Sequence, residues 1–175
     1  IWTRNTRLAA YIGDANLYAI SQKQCLALIN ELDDSETLKI RYNISERLGK
    51  LLSDYNPSEA MDYLPDAIDN AQKAGDVPKE IELLGYMASC CLKTGNYFGN
   101  VECVDAVLQK TNPEMDLEIA MVKCEELPAL LAIGNCGQIV NMVDNEIMPV
   151  FDKYLGKTYT KFNIPLDLVF ESWLK

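Results

Sequence analysis

Six cysteines, three acidic clusters and no histidine set the chemistry open to this 175-residue chain. Cys25, Cys90, Cys91, Cys103, Cys124 and Cys136 include no C-x-x-C pair, and a helix would point the neighbours Cys90 and Cys91 in different directions. That spacing predicts buried thiols acting as small apolar side chains in a reducing compartment, with a disulfide framework as the alternative. Without histidine there is no Ser-His-Asp or Cys-His catalysis, no imidazole metal ligand and no ordinary neutral-pH proton shuttle. The acidic clusters are "ELDDSE" (31–36), "EMDLE" (114–118) and "CEEL" (124–127). In the first, Asp33 or Ser35 suits a helix N-cap and Glu36 suits the positive end of the helix dipole. A calcium loop would need alternating oxygen ligands around a central glycine, and none is present. Paired carboxylates for glycoside chemistry would need a cleft, and no aromatic-lined cleft signal accompanies them. "GNYFGN" (95–100) lacks the lysine of a phosphate loop and lies between helices. The reading is therefore a non-enzyme with no catalytic residue, no metal and no cofactor.

Charge narrows the partners. The net charge is −10, from 26 acidic and 16 basic residues. Phosphate backbones favour a Lys/Arg surplus, so direct nucleic-acid binding by this segment is not expected. An acidic surface can attract a basic peptide, and it also keeps a protein soluble. The longest charge-free stretch, Leu127 to Val143, is broken by Pro128, two glycines and polar residues, so no membrane span is expected. The chain starts at Ile1 and stops inside an apparent helix at "ESWLK", which suggests a piece of a longer protein.

These side chains must be positioned by helices. Apolar residues recur at spacings of three and four in "KEIELLGYMASCCLK", "NVECVDAVLQK" and "PSEAMDYLPDAIDNAQKAGD", and no β-alternation interrupts them. Helices are predicted near 2–11, 16–31, 36–54, 58–74, 78–94, 97–110, 115–132, 136–154 and 164–175. Pro65, Pro128 and Pro149 fall inside three of them, at a cost of about 3 kcal/mol each unless the helix bends or breaks. Pro128 is the expected break. Three places where an apolar run meets a turn also line up: "LLSDYNPS", "CLKTGNYF" and "LLAIGNCG". Their asparagines, Asn56, Asn96 and Asn135, are 40 and 39 residues apart, and Asp14 offers a weaker fourth position 42 residues earlier. Periods of this size point to stacked helical repeats.

On these residues the chain resembles the tetratricopeptide repeat family. "YNPSEAMDYLPDAIDNAQKAGD" carries the Pro-x-x-Ala, aromatic, alanine and terminal Gly-Asp of the longer-repeat form in bacterial signalling and transcriptional regulators, and "GNYFGNVECVDAVLQKTNP" looks like a second helix. Asn100 stands where that family usually has alanine. The resemblance implies an all-α fold, a right-handed solenoid of antiparallel helix pairs with seven to nine helices. It would be one domain, 1–175, with units near 1–34, 35–76, 77–113 and 114–156 and a C-terminal helix at 163–175. It further implies a concave groove lined by the first helix of each pair: Tyr42, Ser45, Gly49, Leu52, Glu82, Gly85, Ser89, Leu92, Lys93, Met121, Cys124, Pro128 and Leu131. The family's best-known carboxylate clamp uses lysine and asparagine where this chain has Ser45 and Gly49, so that clamp looks absent. The expected function is binding of a protein or peptide, apolar or basic, within a larger bacterial signalling or transcriptional regulator. The alternative is an oligomerisation or spacer array, a homo-oligomer included, whose groove is filled by its own or a neighbouring helix. The expected location is the cytoplasm, or the periplasm for a piece of a membrane-anchored sensor.

Overall fold

Three of the turns that organise the chain are built alike. At each, a glycine in the left-handed region ends one helix, and the next residue opens another. Gly75, Gly95 and Gly134 have φ of 68°, 79° and 78°, values that cost an L side chain about 1–2 kcal/mol. The Gly95 N–H donates to the Leu92 carbonyl at 3.2 Å, and the Asn96 N–H reaches back to Cys91 at 2.8 Å. The same two bonds recur at Gly75 with Asp76, and at Gly134 with Asn135. This paired pattern satisfies carbonyls that a helix end leaves orphaned.

The computed structural model describes residues 13–29 and 35–155. The helices expected near 2–11 and 164–175, and the cap at Asp33, lie outside them. In chain order the elements are α1 (Ala15–Ile29), α2 (Ser35–Tyr55), α3 (Pro57–Ala60), α4 (Leu64–Ala74), α5 (Val77–Thr94), α6 (Tyr97–Lys110), α7 (Asp116–Ala132), α8 (Cys136–Met142), a π-helical turn (Val143–Ile147) and α9 (Met148–Leu155). Of the described residues 87% are helical and none is in a strand. With α3 as the first turn of α4's arm, and α8, the π turn and α9 as one rod, there are seven helices among the described residues.

The four positions singled out by spacing open helices. Asp14 Oδ1 accepts the Leu17 N–H at 2.9 Å, and Asn96 Oδ1 accepts the Gly99 N–H at 3.1 Å. Asn56 accepts from Glu59 at 3.4 Å, with Pro57 at the first helical position, where the missing N–H costs nothing. Asn135 holds the same place, but its side chain bonds Gln138 Oε1 at 2.6 Å rather than the backbone.

The prolines behave differently from the expectation. The break falls before Pro65: the arm turns at residues 61–63, and Pro65 sits in the first turn of α4. Helix α7 runs through Pro128 without a break. It forfeits one backbone bond there, but Leu127, Ala129 and Leu130 around the proline are each 1% exposed or less, and that packing holds the helix. Before Pro149 the helix widens into the π turn, with the Met148 N–H bonded five residues back to Val143.

The chain divides into two compact units at Cys90/Cys91, within α5. In the first unit, α2 packs on α1, α3 and α4. Its core joins Ile44, Leu48 and Leu52 to Ala60, Leu64, Ala67, Ala71 and Leu83. Gly49 permits the contact: a Cβ built there would stand 2.6 Å from Leu64 Cδ2. In the second unit, α7 packs on α6, α8, the π turn and α9. Ala120, Cys124, Leu127 and Leu130 repeat at three and four, and meet Ile139, Met142, Val143, Ile147 and Phe151. Each large side chain so buried contributes roughly 1.5–3 kcal/mol before entropy is set against it.

Candidate functional site

The groove expected from sequence is best judged by where each residue stands. In the first unit Ser45, Gly49 and Leu52 are buried, with Ser45 only 1% exposed. Counting back from the turn placed them on the side of α2 that meets Leu64, so they pack the interior and are not open to a partner. Cys124 in the second unit likewise belongs to the core around Phe151. Tyr42, Gly85, Ser89, Leu92, Pro128 and Leu131 are half-buried, and Glu82, Lys93 and Met121 are exposed.

Within the first unit the one exposed member of that set, Glu82, belongs to an ion-pair network joining α2 to α5. Lys50 bridges Glu46 at 3.0 Å and Glu82 at 2.8 Å, and Lys79 reaches Glu46 at 3.1 Å. The Lys50 ammonium also lies 5.9 Å from the Tyr86 ring centroid. Burial works against both charges, but these partners outweigh it, holding Glu46 below and Lys50 above its ordinary value. A turn further along α5 come Gly85 and Ser89, four residues apart and so on one face. No atom stands within 4 Å of where a Gly85 Cβ would sit. The result is a short strip of helix, open at Gly85, with a fixed charge network at one end.

In the second unit the sequence reading missed Glu126. It appeared only as part of the acidic "CEEL" cluster, yet it is 1% exposed and its Oε1 has no hydrogen-bond partner. Burial, together with Asp105 nearby, pushes it up to about 7; Lys123 opposes the shift and Glu146 adds to it. The available signal was helical phase, since Glu126 precedes the core residues Ala129 and Leu130 by three and four positions.

The six cysteines remain thiols. Cys91 and Cys103 share a side-chain hydrogen bond, and burial pushes Cys103 up to about 12. Burial likewise pushes Cys124 up to about 11. Thiols held this far from ionisation are poor nucleophiles. Among the described residues no group of three or more Cys, Asp or Glu side chains is set to hold a metal ion, and no helix is long and apolar enough to cross a membrane. No family model, curated protein or solved structure matches the chain.

Proposed function

We propose that the chain is a non-catalytic, tetratricopeptide-like helical-repeat module that binds a protein or peptide, as part of a larger bacterial signalling or transcriptional regulator. In this reading the helices form a right-handed solenoid of antiparallel pairs, with α2 and α5 as the first helices of successive pairs. The observation that carries the reading is the strip on α5 where a Cβ at Gly85 would meet open space, between half-buried Ser89 and the exposed Glu82, which Lys50 ties to Glu46 on α2. Small side chains allow a peptide backbone or helix to come close. The recurrence of one tight turn, a left-handed glycine followed by asparagine or aspartate opening the next helix, supports the repeat.

Ser89→Glu tests the reading. With the wild-type chain as bait for partner capture, the variant is expected to fold with unchanged helical circular dichroism and to lose the captured partner. If the variant unfolds, Ser89 is interior and the strip is not a binding face. If it folds and captures the same partner equally well, the module binds elsewhere.

A second reading, the oligomerisation or spacer array, is favoured by one feature. Leu17, Ile20 and Leu28 are 37%, 51% and 58% exposed on α1. Sedimentation of the chain would show a concentration-dependent dimer that Ile20→Glu abolishes; a monomer at all concentrations rejects it.

A further inference from the structure

Glu126 is a buried acid whose chemistry neither the fold nor the proposed binding face uses. It sits mid-way along α7 at 1% exposure, and its Oε1 has no partner. An isolated buried carboxylate costs far more charged than neutral, so such a group either finds a cation or keeps its proton.

Every element packed on α7 bears on which of the two applies. From α6 the facing group is Asp105, and from the π turn it is Glu146, both of the same sign as Glu126. Helix α8, with sequence CGQIVNM, carries no charged side chain. On α9, Lys153 and Tyr154 are both bonded to Asp116, at the opposite end of α7. Among the described residues the one cation that acts on Glu126 is Lys123, on α7 itself, and its ammonium is already paired with Glu146. Glu146 is held in turn by Asn141 Nδ2 at 3.4 Å.

We propose that Glu126 is a proton-operated switch in the second unit, seated in the core when neutral and displacing the α7–π-turn contact when ionised. The mechanism is competition for one cation. When Glu126 gives up its proton to solvent, the resulting carboxylate draws Lys123 away from Glu146, or else moves toward water. Either route loosens the attachment of the π turn to α7 and the packing around Phe151. The near-neutral position of this proton equilibrium follows from the same burial that leaves Oε1 alone. The sign is fixed by linkage. The folded unit holds the proton more tightly than the unfolded chain, so stability is greatest below the ordinary carboxylate range and falls as pH rises through about 7.

The experiment uses the full chain, labelled with ¹³C at glutamate side-chain carboxyls, with Glu126→Gln to assign the resonance. The Glu126 signal is expected to titrate near pH 7, apart from the other glutamates. Hydrogen exchange, corrected for intrinsic rates, is expected to show protection across residues 97–155 falling on the order of a hundred-fold between pH 5 and pH 8.5. In Glu126→Gln most of that fall should vanish. If this variant does not fold, Lys123→Met serves instead, and should move the Glu126 titration to still higher pH. A Glu126 titration in the ordinary carboxylate range overturns the proposal. So does a pH-dependent loss of protection that persists in full in Glu126→Gln.

Discussion

Two glycines in the first unit should respond unequally to the same substitution. Gly49 and Gly85 both lie in helix interiors, where alanine is favoured over glycine by about 1 kcal/mol. At Gly85 a new Cβ meets nothing within 4 Å, so Gly85→Ala should realise that gain nearly in full. At Gly49 the Cβ would stand 2.6 Å from Leu64 Cδ2 and 2.9 Å from Cγ. Leu64 is fully buried at the start of α4 and cannot swing aside. Overpacking of this kind costs about 1–3 kcal/mol, which cancels or outweighs the propensity gain. The two variants should therefore differ by about 1–3 kcal/mol, with Gly85→Ala the more stable. For a unit of this size each kcal/mol is worth about 4–8 °C in Tm. Urea and thermal melts followed by circular dichroism would measure both, with the m-value checked for a change in exposed surface. Equal stabilisation by the two variants would mean that α2 and α4 do not approach as closely as Gly49 allows. A loss of stability in Gly85→Ala would mean that its face is covered, and the open strip on α5 would go with it. If Gly85→Ala is more stable yet captures partner poorly, the glycine serves close approach at the expense of stability.

The caps and the thiols give two further outcomes. Asn96→Ala should cost about 1 kcal/mol in urea denaturation through loss of its bond to the Gly99 N–H, whereas Asn135→Ala should cost clearly less, because its side chain caps no backbone group. Cys103 is held protonated up to about 12 by burial, then by Cys91 and Glu102, so its stabilising effect is complete below the ordinary thiol value near pH 9 and is lost between there and pH 12. Its alkylation by a neutral reagent, followed by mass spectrometry, should therefore rise about tenfold per pH unit well beyond pH 9, and a plateau at pH 9 would count against it.

What the sequence disclosed was mostly local. The Gly-Asn turns, the cap residues and the three-and-four spacing act within a few residues of chain, so they could be read without knowing what packs on what. The misjudged prolines show the limit. Pro128 looks the more disruptive in sequence, but Leu127, Ala129 and Leu130 hold its helix intact, while the helix around Pro65 restarts at Leu64. The groove failed in part for a related reason. Distance from a turn fixes a position along a helix but not which face is covered, so Ser45, Gly49, Leu52 and Cys124 were assigned to an open surface and are interior. Glu126 was hidden by its own chemistry, since a carboxylate beside another carboxylate is ordinarily solvated.

The shared turn residue limits how the chain can change its length. Asn96 closes α5 with its N–H and opens α6 with its side chain, and Asp76 does the same between α4 and α5. An amino acid inserted between Gly95 and Asn96 would separate these two duties, and α6 would then start one residue further on and in a different direction. The joint after α6 has no such double commitment. Thr111 leaves the helix with extended backbone, and residues 112–115 are exposed. Insertions during evolution, engineered tags and fluorophore attachment should therefore be accepted there and rejected at the glycine turns.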